Sequence, residues 1–204
     1  MPPQIRLAVD VGGTFTDVVL EQGDQQTTLK VLTTPAAPET GVLTGIDAVL
    51  AAAGVSPAAV DLLIHGTTLA TNALIERKGA KTALITTAGL RDSVEMALEN
   101  RFEQYDLNID RPTPIVPRHL RFAVEERLNH IGQVLVPLDE ASVKALVQPL
   151  RDHGIEAVAV GLLHAYANGA HEARVGEILA DALPDLSITL SSEVCPEIRE
   201  YERQ

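Results

Sequence analysis

The chain has 204 residues; 46% are hydrophobic, enough to fill a core, but only 3% are aromatic and none is Trp, so the interior has to be aliphatic and offers little on which to stack nucleobases. Acidic residues outnumber basic ones by 28 to 16, and a formal net charge of −12 disfavours nucleic acid or an anionic membrane surface as a partner. The single cysteine, Cys195, excludes an internal disulfide and a cysteine-rich metal site, and with neither a leader-like start nor an apolar run long enough to span a bilayer the expected location is cytoplasmic.

The first element is a strand over residues 5–11. Ile5, Leu7, Val9 and Val11 alternate with Arg6, Ala8 and Asp10, so burying the first set aims Asp10 at the opposite face, just before a turn. Gly12 and Gly13 suit positive φ and leave the backbone open to close approach by a ligand. Thr14 and Thr16 add hydroxyls, and successive N–H groups in such a turn form an anion-binding concavity. A carboxylate beside that concavity is placed to hold a magnesium ion, usually through water, that a nucleotide brings with it. The same residues also suit an ordinary Gly-Gly hairpin, with Asp17 on the second strand supporting the turn. Because the chain's net charge repels a nucleotide, local backbone dipoles and a metal ion would have to hold one.

Residues 26–33 read as a third antiparallel strand, and residues 39–53 have helical spacing closed by Gly54. A short apolar run over 60–65 then leads into a helix over 68–77. Gly66, Thr67 and Thr68 stand where the first free N–H groups of that helix point outward and favour an anion. A plain N-cap role is the alternative for at least one of the threonines. Asn72, one turn after Thr68, faces the same way, and His65 at the strand end is a further candidate.

Residues 81–87 form another buried strand and a helix runs through residue 97. Arg101 follows, either as a bidentate clamp for carboxylate or phosphate or as a solvated side chain. Three prolines within residues 111–117 mark a seam through which neither a helix nor a central strand can run. Residues 120–128 alternate and pair with 132–137 as a hairpin. A helix over 139–153, a strand over 155–163, a helix over 168–183 and a strand over 186–190 then imply parallel pairing with crossover helices. His164 and His171 lack a third well-placed ligand and suit capping or packing, and Cys195 sits in acidic surroundings that favour a passive thiol. No Gly-x-x-x-x-Gly-Lys-Ser/Thr loop occurs, which excludes a P-loop ATPase.

Asp10-Val-Gly-Gly-Thr-Phe-Thr-Asp17 resembles the first phosphate motif of the actin-like ATPase superfamily. Its Thr-Phe-Thr-Asp ending, together with His65-Gly-Thr-Thr-Leu-Ala-Thr-Asn-Ala-Leu-Ile-Glu-Arg-Lys-Gly79 and Ser191-Ser-Glu-Val-Cys-Pro-Glu-Ile-Arg-Glu-Tyr-Glu-Arg203, resembles the N-terminal region of the hydantoinase A/5-oxoprolinase family over essentially the whole chain. The resemblance implies an α/β, ribonuclease H-like (actin-like ATPase) lobe, with three antiparallel strands followed by parallel α/β units and an inserted β-hairpin. The expected divisions are residues 1–110 for the lobe with the phosphate motif, 111–137 for the Pro-rich insert and hairpin, and 138–204 for a second α/β portion, with the C-terminal ATPase lobe beyond Gln204.

The activity so implied is ATP-dependent amide hydrolysis, opening a cyclic amide such as a hydantoin or 5-oxoproline after phosphorylation of its carbonyl oxygen. ATP and Mg2+ are the implied cofactors and a hydantoinase B-type subunit or domain the implied partner, and the chain alone is expected to be inactive. Asp10 would be the catalytic group, orienting magnesium or the attacking group. Gly12, Gly13, Thr14, Thr16 and Asp17 would serve the nucleotide, and His65, Gly66, Thr67, Thr68, Asn72 and Arg101 the substrate or phosphate cleft. The alternatives are a related ATP-dependent carboxylase subunit, a non-enzymatic nucleotide-binding lobe, and a small-molecule kinase. A kinase of the superfamily shares Asp-x-Gly-Gly-Thr but neither the Thr-Phe-Thr-Asp ending nor the stretch 65–79.

Overall fold

The computed structural model describes residues 4–98, 105–109 and 112–204. Two compact units divide the chain, Met1–Lys78 and Gly79–Gln204. The expected segments 111–137 and 138–204 both fall in the second.

In the first unit, strands β1 (Ile5–Val11), β2 (Phe15–Gln22) and β3 (Gln25–Leu32) form an antiparallel meander. Helix α1 (Pro38–Ala53) begins with a proline, whose missing N–H costs nothing in a first turn, and ends at Gly54 in the left-handed conformation (φ 67°). The chain then crosses to β4 (Leu62–Thr67), which lies parallel to β1, and continues into α2 (Leu69–Ile75). The sheet order is β3-β2-β1-β4. Alternation along β1 and β2 buries Leu7, Val9, Val11, Val18 and Leu20 on one face, and Val49 and Leu50 of α1 close over them. Each such side chain contributes about 1.5–3 kcal/mol of burial. Gly45 lets the helix sit close, since a β-carbon there would lie 2.7 Å from Val18 Cγ2. The opposite face carries Asp10.

The second unit opens with β5 (Thr82–Thr87), α3 (Ser93–Met96) and β6 (Arg121–Val124), followed by the short ribbon β7 (Arg127–Leu128) and β8 (Val134–Val136). Then come α4 (Glu140–Lys144), α5 (Val147–Asp152), β9 (Ala157–Gly161), α6 (Ala170–Ala182), β10 (Ser187–Leu190), α7 (Ser191–Val194) and α8 (Glu200–Arg203). The main sheet, β10-β9-β5-β6, is parallel throughout, as the helix–strand alternation predicts. Ala83, Ile85, Val124, Val158 and Val160 pack with Leu150, Val175 and Leu179 of the flanking helices. Among the described residues no helix is long and apolar enough to cross a membrane.

Two expected elements are divided. The strand predicted over 120–128 breaks between Val124 and Arg127: β6 joins the parallel sheet beside β5, while β7 pairs with β8. The break accommodates Glu126, whose buried carboxylate accepts from Thr87 Oγ1 and meets His171 Nδ1 at 2.8 Å. The helix predicted over 139–153 breaks between α4 and α5. Pro149 has no N–H to give the carbonyl of Ala145 and its ring crowds that carbonyl, so the hydrogen-bond ladder lapses there.

Candidate functional site

The site grows from the β1–β2 hairpin. Its register sets Asp10 opposite Asp17 and Val11 opposite Thr16, and Gly12 N–H donates to the Phe15 carbonyl at 3.0 Å, which leaves Gly13 and Thr14 at the tip. The expectation of positive φ at the glycine pair is not met, for neither Gly12 nor Gly13 adopts it. Glycine is needed for space at residue 12 and lets Asn72 come close at residue 13. A β-carbon on residue 12 would lie 2.9 Å from the Phe15 carbonyl oxygen, and one on residue 13 would lie 3.2 Å from Asn72 Nδ2. Among the described residues the N–H groups of Gly13 and Thr14 have no backbone acceptor, so the tip retains free donors.

Thr16 is placed behind the turn. Being opposite Val11 it belongs to the apolar face, where it is fully buried and shares a 3.0 Å hydrogen bond with Thr33 Oγ1. Thr33 in turn donates its hydroxyl to the Gly12 carbonyl at 2.9 Å and its N–H to the Thr14 carbonyl at 3.0 Å. The two threonines therefore fasten the turn from inside, and the Thr16 hydroxyl does not open onto the concavity. Nothing in the local pattern announces Thr33, which is far from Gly12 in sequence. Asp17 stands beside Asp10 on the exposed face and forms an ion pair with Lys30 at 3.1 Å.

Parallel pairing of β4 with β1 sets Gly66 beside Asp10 and Thr67 beside Val11. A β-carbon at Gly66 would lie 3.3 Å from Asp10 Oδ1, so the absent side chain is what gives the carboxylate room. Thr68 N–H donates to the Val11 carbonyl at 3.1 Å, and Leu69 N–H donates to Thr67 Oγ1 at 3.2 Å. Two of the N–H groups expected to point at an anion are thus engaged within the chain, and α2 is short. Thr68 is the N-cap position of α2 and makes no side-chain cap bond, while Thr67 Oγ1 takes the Leu69 N–H from outside the helix. Asn72 Nδ2 donates to Thr68 Oγ1 at 3.3 Å, which turns the amide back toward the hairpin tip. His65, opposite Val9, lies on the other face from Asp10. Arg101 is outside the described residues.

Asp10, the Gly12–Gly13–Thr14 tip, Gly66, Thr68 and Asn72 are therefore brought together, while Thr16, Thr67 and His65 serve or face the other side. Among the described residues the exposed Asp10 carboxylate has no hydrogen-bond or ion-pair partner, and no group of three or more His, Cys, Asp or Glu side chains could hold a metal ion by itself. A single free carboxylate next to open backbone donors fits Mg2+, which keeps several waters and takes most other ligands from phosphate. The donors left over at the tip suit anionic oxygens.

The profile of the hydantoinase/oxoprolinase N-terminal region matches residues 6–183. The chain is 38% identical over 209 residues to caprolactamase subunit alpha of Pseudomonas jessenii, covering 98% of this chain and 30% of that protein. It is 32% identical over 212 residues to acetophenone carboxylase gamma subunit of Aromatoleum aromaticum, covering 96% and 29%. Among solved structures, nucleotide-free acetone carboxylase superposes with a TM-score of 0.86 at 28% identity, covering 100% of this chain and 31% of that one. The chain thus spans less than a third of the length of the relatives it matches.

Proposed function

The chain belongs to the hydantoinase/oxoprolinase family, and from that premise we propose that it is the nucleotide-handling N-terminal part of an ATP-dependent enzyme that opens cyclic amides. The observation that carries this reading is the pairing of Asp10 with Gly66 beside the close approach of Asn72 to Gly13, which gathers at one hairpin tip a carboxylate and backbone donors without partners among the described residues.

An amide resists water because its carbonyl is resonance-stabilised. ATP would supply the activation: its γ-phosphoryl group would pass to the carbonyl oxygen with loss of ADP, water would add to the carbon, the C–N bond would break to leave an acyl phosphate, and a second water would cleave that to carboxylate and phosphate. What the protein must contribute is alignment and charge neutralisation. Gly13 and Thr14 N–H and the Asn72 amide would bind phosphate oxygens, Asp10 would hold magnesium through water, and Gly66 would keep that carboxylate unobstructed. Thr16 and Thr33 would keep the tip rigid, so that its donors need little reorganisation. The two relatives compared by sequence are subunits by name, which supports a second subunit of hydantoinase B type as partner.

A carboxylase is the second reading, favoured by the likeness to acetone carboxylase. Both are tested by phosphate release from the full-length protein with its partner subunit, offered 5-oxoproline, hydantoins and larger lactams in one series and ketones with bicarbonate in another. Release that depends on a cyclic amide supports the first reading. Release that depends on ketone and bicarbonate replaces it with the second.

A further inference from the structure

We propose that the crevice between the carboxyl ends of β5 and β9 is a binding site for a primary carboxamide, filled in this structure by the chain's own Gln204. The site lies in the second unit and uses none of the residues around Asp10, so it stands or falls apart from the ATP reading.

The strand order singles out this crevice. From β5 the chain proceeds to β6 on one side, and β9 then returns to the other side of β5. In an open parallel sheet a reversal of this kind separates the following connections and leaves a ligand crevice outside the carboxyl ends. Here Gln204 enters it. Nε2 donates to Thr86 Oγ1 and to the Gly161 carbonyl, each at 2.8 Å, and Ser93 Oγ donates to Oε1. Gly161 is the glycine that makes room: a β-carbon there would lie 2.8 Å from Gln204 Cγ. A glycine weakens a strand and often marks close approach by another group, which is its effect here. Thr86 is fully buried, so the guest amide also satisfies a hydroxyl cut off from water.

The contacts define the chemistry. Gly161 offers only an acceptor, which fixes the amide nitrogen on that side, and the same nitrogen must also serve Thr86. Two N–H donors on one nitrogen with a carbonyl acceptor beside them describe a –CONH2 group. A carboxylate would set a charged oxygen against the Gly161 carbonyl, and a lactam has one N–H and leaves one partner unmet. The occupant can leave without undocking its helix. Arg203 holds α8 through the Leu162 carbonyl at 2.7 Å and the Glu197 carbonyl at 2.6 Å, so rotation of the Gln204 side chain alone vacates the crevice.

The test uses Gln204→Ala in the 204-residue chain and thermal unfolding with propionamide, propionate or N,N-dimethylpropionamide. With propionamide at several times a dissociation constant of about 1–10 mM, the midpoint of the variant should rise by about 2–4 °C, and the other two probes should leave it unchanged. The wild-type chain, already filled, should not respond. Equal effects of the three probes, no effect of propionamide, or the same rise in wild type would overturn the proposal. A reading that needs no variant is hydrogen exchange of the Gln204 side-chain amide in the wild-type chain. Protection is expected, and exchange at the rate of free glutamine would equally overturn it.

Discussion

Asn72 lies so close over Gly13 that a β-carbon at residue 13 would stand 3.2 Å from its Nδ2, which ties the start of α2 to the hairpin tip. At Gly12 the neighbour is the Phe15 carbonyl oxygen, 2.9 Å from where a β-carbon would be, and backbone cannot swing aside as a side-chain amide can. The two alanine substitutions should therefore separate. Gly13→Ala should shift the unfolding midpoint by less than about 2 °C while lowering ATP-dependent phosphate release in the full-length protein about tenfold or more. Gly12→Ala should cost about 1–3 kcal/mol of stability, read by denaturant unfolding.

Thr16→Val should test whether that hydroxyl is internal scaffolding. It removes the bond to Thr33 while keeping shape, so a loss of about 0.5–1.5 kcal/mol is expected with unchanged turnover per folded molecule. A collapse of turnover at full stability would move Thr16 back to the nucleotide side.

Thr16 also shows how far the sequence could be read. The meander and the parallel pairing after residue 138 follow from alternation and spacing, which are local, whereas the pairing of β4 with β1 and the entry of β6 into the second sheet do not. The contiguity of the motif groups Thr16 with its neighbours Gly12 to Thr14. The hairpin register, with a tip at Gly13 and Thr14, already puts Thr16 opposite Val11 on the apolar side. Thr33 and Lys30, which complete the turn and partner Asp17, reach it through β3 and carry no mark in the chain. The break at Glu126 has the same origin, since a charged residue in an alternating run looks solvent-facing until the partners that bury it, Thr87 and His171, arrive from other elements.

Glu172 should be the most costly carboxylate to remove from the second unit. It is fully buried and accepts from Leu162 N–H at 2.8 Å, Ser191 Oγ at 2.6 Å and Ser192 N–H at 2.8 Å. Glu172→Ala strands all three donors and should destabilise by about 3–5 kcal/mol in urea unfolding. A change below about 1 kcal/mol would mean that water replaces the carboxylate.

Acid should loosen α8. Burial pushes the Glu200 carboxyl up, but hydrogen bonds from the His164 N–H, its own N–H and Arg203 bring it below the usual carboxylate value. A depressed folded-state pKa means that the ionised form favours the fold, so this stability is present above the usual value of 4.5 and is lost as pH falls through the lower folded one. The unfolding midpoint of wild type should fall more steeply than that of Glu200→Gln in this range. Parallel curves would show that the group contributes nothing to the acid transition.

In the proposed function Asp10, exposed and without a partner among the described residues, serves the nucleotide's metal ion beside Gly66. The most direct measurement is steady-state phosphate release by full-length Asp10→Asn with its partner subunit and a cyclic amide substrate, alongside its unfolding curve. Because Asp10 lies on the exposed face, stability should stay within about 0.5 kcal/mol of wild type while turnover falls by about a hundredfold or more. Wild-type turnover in the folded variant would contradict the account and remove Asp10 from the chemistry.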